Sequence, residues 1–250
     1  MESGGLLTSD DVPPALVGAA WRSGGVGGHE AAASLVRLVA RGHVAVSPAA
    51  GSDVCTFQLD RSKSRRGPHD LDSMDRELFA AVFRNQSAFT MGQLLAASSV
   101  GSQPMASGIQ KWRHSVEREA VRRHMSGAAA IVSRHELRHV RSELSRLLAE
   151  AARIPGTDLP ARAVELAVVF GFERKLQLAL PVPSSEDAPH GAQAAARWLC
   201  SARCGRSTVV ACLRRALSAR PSPSPLKLGV TRPTHQIPRV IDDGKTRLGG

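Results

Sequence analysis

The stretch that decides the fold is PPALVGAAW at residues 13–21, followed by GGHEAAASLVRLVARGHVAV at residues 27–46. The rings of Pro13 and Pro14 restrict φ to values found in the first turn of a helix, so the first stretch predicts a short helix. The glycines between residues 24 and 28 predict that this helix ends before the next one begins.

The second helix is predicted from near His29 onwards, because its apolar residues recur at helical spacing. Leu35, Leu38 and Val39 stand at positions i, i+3 and i+4, which defines one buried face. Gly42 stands where a residue in the left-handed conformation commonly ends a helix.

Beyond this helix the apolar pattern changes from a helical to an alternating period. Val44 and Val46 alternate with smaller residues, PAAGSD at residues 48–53 predicts a turn, and an extended run resumes over residues 54–59. Helix, helix and hairpin in this order are the outline of a winged-helix module.

Downstream, capping residues predict three further helices. Asp72 caps the first, a Thr90/Gln93 capping box opens the second, and the third runs from Pro104 to Val121. The predicted core comprises Trp21, Leu35, Leu38, Phe57, Phe79, Phe83, Trp112 and Phe170.

We therefore predict a mainly α (α+β) fold with a winged-helix-like N-terminal module, followed by a helical region and a disordered tail. The tail mixes Pro, Ser and basic residues without a hydrophobic period. The predicted division is a winged-helix-like module with a small β-hairpin at 1–60, a basic linker at 61–72, a helical region at 73–180, an Ala-rich helical segment at 181–218 and a disordered basic tail at 219–250.

Composition indicates a cytoplasmic chain. Hydrophobic residues make up 42% of the chain, which is enough to bury a core. The opening MESGGLLTSDD lacks the basic and apolar regions of a signal peptide, and no apolar run approaches the ~20 residues of a membrane span. The cysteines, at positions 55, 200, 204 and 212, fit reduced thiols better than a disulfide framework.

A family resemblance covers residues 11–180. Its motifs occur in the order PPALV to RGHVAV, DRELFAAVF, IQKWRHSVEREAVRR and LPARAVELAVVFGFERKL. This combination resembles the C-terminal cytoplasmic region of YciQ-like predicted membrane proteins, a family of unknown function whose members usually carry membrane spans around this region. The resemblance implies an interaction or regulatory module at the cytoplasmic side of a membrane, with a protein partner or a membrane component to bind.

The net charge of +11 raises a nucleic-acid alternative. Lys and Arg contacts to phosphates supply most of such affinity, so the distribution of charge matters. Residues 1–60 carry three Lys and Arg against six Asp and Glu, whereas residues 181–250 carry eleven against four. A winged-helix DNA reader would depend on Arg37 and Arg41, while the basic tail could bind nucleic acid or anionic lipid without specificity.

The HELRH motif at residues 135–139 satisfies the H-E-x-x-H pattern of zinc hydrolases. On a helix, His135 and His139 would share one face as zinc ligands, and Glu136 would activate a water molecule. The candidate third ligands are Glu143, Glu150 and Glu165.

The arginines around this motif favour another interpretation. Arg134, Arg138 and Arg141 would place three cations near a dication. The segment also has the pattern of a charged amphipathic helix with ion pairs on its outer side. Its predicted buried residues are Leu137, Val140, Leu144, Leu147 and Leu148.

A second motif, LCSARCGRSTVVACL at residues 199–213, resembles the C-x5-R-[ST] loop of cysteine-dependent phosphatases. Cys200 would be the nucleophile, Arg206 the phosphate clamp and Ser207 its neighbour. Backbone N–H groups and a following helix would lower the thiol pKa and hold the phosphate.

The same motif departs from the phosphatase pattern at two positions. Leu199 stands where that family usually has His, and Arg203 stands where a glycine normally lets the backbone approach the phosphate. A general acid would have to be Asp158 or Asp187. A zinc site is a weaker interpretation of the same region, with the ligands Cys200, Cys204 and His190.

We therefore predict no catalytic, cofactor-binding or metal-binding residues, no cofactor, no small-molecule substrate and no enzymatic activity. The expected role is a non-enzymatic interaction or regulatory module. The alternative is a winged-helix DNA-binding protein. A cysteine-dependent phosphatase acting through Cys200 and Arg206, or an HExxH zinc hydrolase, is a weaker alternative.

Overall fold

Two helices open the described chain, as the proline and glycine pattern predicts. In the computed structural model α1 spans Pro14–Trp21 and α2 spans Gly28–Ala40. Gly42 has a φ of 73° and ends α2 in the left-handed conformation. The structure describes residues 12–48, 55–60, 71–83, 86–94, 104–125, 133–154, 159–180, 199–200, 203–204 and 207–218.

A three-stranded antiparallel sheet follows α2. Strands β1 (Val44–Pro48) and β2 (Cys55–Leu59) form the predicted hairpin, whose turn lies outside the described residues. Strand β3 (Ala88–Thr90) pairs with β2, so the sheet order is β1-β2-β3. The third strand comes from the region that the sequence predicted as helical.

The stacking of two phenylalanines joins this sheet to the helices. The ring centroids of Phe57 and Phe89 are 4.8 Å apart, and Phe83 meets Phe89 edge-on at 5.0 Å. Phe83 ends helix α3, which spans Ser73–Phe83. Burial of these rings stabilises the contact between the sheet and α3.

The predicted caps of this region are confirmed. The backbone N–H of Asp75 donates to Asp72 Oδ1 at 2.8 Å, at the start of α3. Thr90 and Gln93 exchange the two hydrogen bonds of a capping box, at 2.8 and 3.1 Å.

Helix α4 spans Pro104–Arg122 and packs on α3. The close approach occurs at Gly108, where an added Cβ would lie 2.8 Å from the Cβ of Ala81. Trp112 and Val116 are buried as predicted, but Val121 is 62% exposed. The neighbouring Ala120 occupies the buried position, because the buried face of the helix turns past Val121.

Helices α5 (Arg134–Ala151), α6 (Ala161–Val169) and α7 (Glu173–Ala179) complete the helical region. Helix α6 packs on α2, and α5 packs on α7. The helix that follows, α8 (Val209–Ser218), also packs on α2. Helix α2 is therefore buried around most of its circumference.

A short strand pair precedes α8. Strands β4 (Arg203–Cys204) and β5 (Ser207–Thr208) pair antiparallel within the segment that the sequence predicted as helical. The Thr208 hydroxyl accepts from the N–H of Ala211 at 3.1 Å and starts α8. The predicted tail at 219–250 lies outside the described residues, and the predicted division into segments stays a prediction.

Among the described helices, none is long and apolar enough to cross a membrane.

Candidate interaction surface

Helix α5 carries three of its four arginines on one flank and its glutamates on the other, where the fourth arginine, Arg146, also lies. Arg134, Arg138 and Arg141 recur at spacings of four and three residues, which places them along one flank. The acidic residues recur every seven residues along the other flank, and they are Glu136, Glu143 and Glu150. The buried stripe, centred on Leu144, separates the two flanks.

The arginine flank faces an aromatic cluster. The Cζ of Arg141 lies 4.9 Å from the ring centroid of Phe172 and 5.5 Å from that of Trp21. Trp21 in turn meets Phe170 edge-on at 5.4 Å. These cation–π contacts hold an exposed guanidinium in place at low entropic cost.

Helix α7 continues this surface. The Nζ of Lys175 lies 5.0 Å from the ring centroid of Phe172 and donates to the hydroxyl of Ser145. Because Arg141 meets Phe172 and Ser145 meets Lys175, α5 and α7 run in the same direction. One turn beyond Lys175, Leu178 is 71% exposed.

We name Arg134, Arg138, Arg141 and Lys175 the basic strip. All four side chains are exposed. Arg134 and Lys175 donate to neutral hydroxyls, those of Ser23 and Ser145. Within the described part of the chain, none of the four pairs with a carboxylate.

Several arginines elsewhere in the structure pair with carboxylates, whereas Arg118 and Arg146 do not among the described residues. The pairs are Arg22 with Glu30, Arg37 with Asp75, Arg122 with Glu119, Arg162 with Glu165, and Arg214 with Glu173. The basic strip differs in that four cations lie together on two adjoining helices and no carboxylate among the described residues neutralises them.

One of these pairs overturns an expectation about DNA recognition. Arg37 is 2% exposed, and its Nε lies 3.1 Å from Asp75 Oδ2. Asp72 Oδ2 lies 3.6 Å from another guanidinium nitrogen of Arg37. Burial, aided by Asp72, raises the pKa of Asp75 to about 7 against the opposing effect of Arg37. Arg37 therefore links α2 to α3 inside the protein and is not on the surface where a phosphate could reach it.

A second charged cluster lies at the start of α2. His29 Nδ1–H donates to the carbonyl of Val168 at 3.1 Å, and Glu173 Oε1 lies 3.6 Å from the same nitrogen. Arg214 donates to Glu173 at 2.8 Å. Burial and the nearby cations Arg22 and Arg214 lower the pKa of His29, so a neutral imidazole is favoured at neutral pH. The cluster joins α2, α6, α7 and α8.

The two histidines of the HELRH motif lie on the outer side of α5, while Leu137 between them is buried. His135 and His139 are exposed, and His139 Nδ1 lies 3.5 Å from Glu143 Oε2. Glu136 accepts from the N–H of Ser133 at 2.8 Å, which closes a capping box and lowers its pKa. Of the ion pairs predicted along this helix, the described residues form one, between His139 and Glu143.

Of the three third-ligand candidates, Glu143 lies beside His139, and the other two lie away from the imidazoles. Glu165 is buried on α6 and pairs with Arg162 at 3.0 Å. Glu150 lies two turns beyond Glu143 on the acidic flank. Within the residues that the structure describes, no group of three His, Cys, Asp or Glu side chains could hold a metal ion.

The phosphatase-like motif surrounds a buried thiol. Cys200 is 1% exposed, and burial raises its pKa to about 12. A phosphatase nucleophile needs the opposite shift, because the thiolate is the reactive species. Leu199 is also buried, and Cys204 lies on β4. The other candidates at 158, 187, 190 and 206 lie outside the described residues.

Sequence reasoning missed the basic strip although part of its signal was present. The spacing of the arginines and glutamates in α5 shows their segregation once the helix is drawn as a wheel. The contribution of Lys175 and the aromatic cluster could not be seen, because α1 and α7 approach α5 only in the folded chain.

A comparison with protein families supports the resemblance. The model of a family described as the C-terminal domain of predicted membrane proteins, DUF2207, matches residues 7–141. The match ends within α5, so α6 and α8, which cover α2, lie beyond it. No curated protein and no solved structure matches the chain.

Proposed function

Because the chain belongs to the DUF2207 family of C-terminal domains of predicted membrane proteins, we propose that it is a non-enzymatic interaction or regulatory module at the cytoplasmic side of a membrane. The observation that supports this proposal best is the basic strip. Four exposed cations, none of which pairs with a carboxylate that the structure describes, form a surface suited to an acidic partner. The partner is a protein or another component of the membrane.

The proposal includes a winged-helix-like arrangement of the N-terminal module. Helices α1 and α2 precede the β1–β2 hairpin, and β3 adds a third strand. In this arrangement α2 is enclosed by α6 and α8, so the module contacts partners through its outer helices. A fold of this kind does not by itself imply DNA binding.

Membrane recruitment in cells tests the proposal. The full chain would be compared with an Arg138→Glu/Lys175→Glu double variant by membrane fractionation. The matched control is Lys111→Glu/Arg118→Glu, which reverses one exposed lysine and one exposed arginine on α4. We expect wild type and control in the membrane fraction and the strip variant largely outside it. Equal distribution of all three proteins would contradict the proposal.

The nucleic-acid alternative has the charge of residues 181–250 in its favour. Fluorescence anisotropy with a DNA duplex at physiological salt distinguishes it. The shortened chain should end at Ser218, because ending it earlier would remove α8 from α2. Binding that persists in this chain and is lost in the strip variant would make the strip a DNA surface, whereas binding lost with the tail indicates generic charge.

The enzyme alternatives are tested by turnover. We expect no phosphatase activity that depends on Cys200, since its thiolate is disfavoured by burial. Phosphate release by wild type that disappears in Cys200→Ser would contradict the non-enzymatic proposal. Zinc bound in stoichiometric amount and lost in His135→Ala would do the same.

A further inference from the structure

We propose that the basic strip, together with Leu178, docks this domain directly on the anionic phospholipid headgroups of a bilayer. This inference rests on the proposed function and names the partner of the same surface. Its components are the exposed cations of α5 and α7, the opposite acidic flank of α5, and the exposed leucine at the end of α7.

The first argument is the number and state of the cations. Arg138 has no hydrogen bond or ion pair among the described residues, and the hydrogen bonds of Arg134 and Lys175 go only to hydroxyl groups. Binding an anion therefore breaks no ion pair with a residue that the structure describes. Arg141 is held over Phe172 and Trp21. Because the two rings already hold this side chain, ordering it on binding costs little conformational entropy.

The second argument is orientation. The glutamates at 136, 143 and 150 lie on the flank of α5 opposite the basic strip. An anionic plane attracts one flank and repels the other, so a single face of the domain turns toward the bilayer. Arg146 lies among these glutamates, but one cation against three carboxylates leaves this flank with a net negative charge.

The third argument is Leu178. It is 71% exposed and lies one turn from both Arg174 and Lys175, whose side chains are also exposed. An apolar side chain beside cations suits the boundary between headgroups and acyl chains. A nucleic-acid backbone offers no apolar phase to receive it, so this residue favours lipid over DNA.

The fourth argument is that membership of this family places the domain close to a bilayer. A domain of a membrane protein stays close to the bilayer surface, where headgroups have a high effective concentration. Weak contacts from four cations and one leucine are then sufficient to hold one face against the membrane.

Vesicle co-sedimentation of the full chain tests the inference. Vesicles of phosphatidylcholine alone would be compared with vesicles containing equal parts of phosphatidylcholine and phosphatidylglycerol, at physiological salt. We expect binding to the anionic vesicles only. The affinity of the Arg138→Glu/Lys175→Glu variant for these vesicles should be at least about 20-fold lower, because each basic residue near the surface contributes about fivefold. The Lys111→Glu/Arg118→Glu control should stay within about threefold of wild type.

The Leu178→Ser variant tests the apolar contact with the bilayer, because it leaves the charge of the domain unchanged. We expect it to weaken binding to anionic vesicles about fivefold or more, while leaving the affinity for a DNA duplex unchanged. An unchanged affinity of Leu178→Ser for the vesicles would overturn the role of this residue. Equal loss in the strip and control variants would overturn the strip as the docking surface.

The failure of this inference can be told apart from the failure of the proposed function. If wild type does not bind anionic vesicles but the strip variant still leaves the membrane fraction in cells, the partner is a membrane protein and only the lipid assignment is wrong. If the strip variant also stays at the membrane in cells, the proposed function fails with it.

Discussion

Arginine has two opposite roles in two regions of this molecule. Arg37 is buried between α2 and α3, where Asp75 and Asp72 compensate its charge. Arg138 is exposed on α5 without a carboxylate partner among the described residues. The basic composition of a chain therefore does not identify a binding surface unless the location of each charge is known. The first arginine contributes to the fold, and the second is available to a partner.

The largest expected effect is the loss of the buried arginine. At pH 8, where Asp75 is ionised, Arg37→Met leaves Asp72 and Asp75 without the buried cation that they share, so we expect the free energy of unfolding to fall by about 3–5 kcal/mol. Arg138→Met removes an exposed charge and should change it by less than about 0.5 kcal/mol. Urea denaturation of the two variants measures both values. Similar losses in both would abolish the distinction between the two regions.

The pH dependence of stability sharpens the same comparison. Since the pKa of Asp75 is raised from 3.8 to about 7 in the folded protein, the folded state binds this proton more tightly than the unfolded state. The Asp75 contribution is therefore favourable at low pH and is lost as pH rises from about 4 to about 7.

Asp75→Asn removes this titration. As the pH rises from 4 to 8, we expect wild type to lose roughly 2–4 kcal/mol of unfolding free energy relative to the variant. Urea denaturation at several pH values gives this difference and cancels groups that titrate equally in both proteins. A difference that does not vary with pH would show that Asp75 titrates normally.

Glycines offer the same contrast between interior and surface. A Cβ on Gly28 would lie 2.1 Å from the carbonyl oxygen of Arg214, so Gly28→Ala must displace α8. We expect a loss of about 1–3 kcal/mol. Gly25→Ala is the control, because its nearest neighbour would lie at 3.7 Å. Thermal unfolding of both variants checks this, and an unaffected Gly28→Ala would mean that α8 does not pack closely on α2.

The smallest expected effect concerns the helix that carries the basic strip. Ser133 caps α5 by accepting from the N–H of Glu136 at 3.1 Å, so Ser133→Ala should cost about 1 kcal/mol. Ser142→Ala, on the exposed side of the same helix, should be neutral or slightly stabilising. Thermal unfolding again measures both. A cost that is equal at the two positions would contradict the capping role.

The local elements of this fold were largely predictable because their signals are local. The proline pair at the start of α1, the left-handed Gly42, the Asp72 cap and the Thr90/Gln93 capping box each act within a few residues. The strand at Ala88–Thr90 was missed, because three residues have no resolvable period and pair only with a distant strand.

The candidate surface was only half predictable. The row of Arg134, Arg138 and Arg141 along α5 is a property of its sequence, whereas the placement of Arg141 over Trp21 and Phe172 depends on contacts between residues 30 to 120 positions apart. The burial of Arg37 was likewise invisible, since a helical arginine is exposed or buried according to what packs against its face.

Local signals in the sequence predicted the starts of α1 and α3, the end of α2 and the β1–β2 hairpin, because capping, turn chemistry and alternation act over short distances. Only the tertiary structure decided which charges are neutralised and which remain exposed. Ion pairs form between side chains that packing brings together, as in Arg37 with Asp75 or Arg214 with Glu173. The cations that packing leaves without such a carboxylate are the ones that can meet a partner.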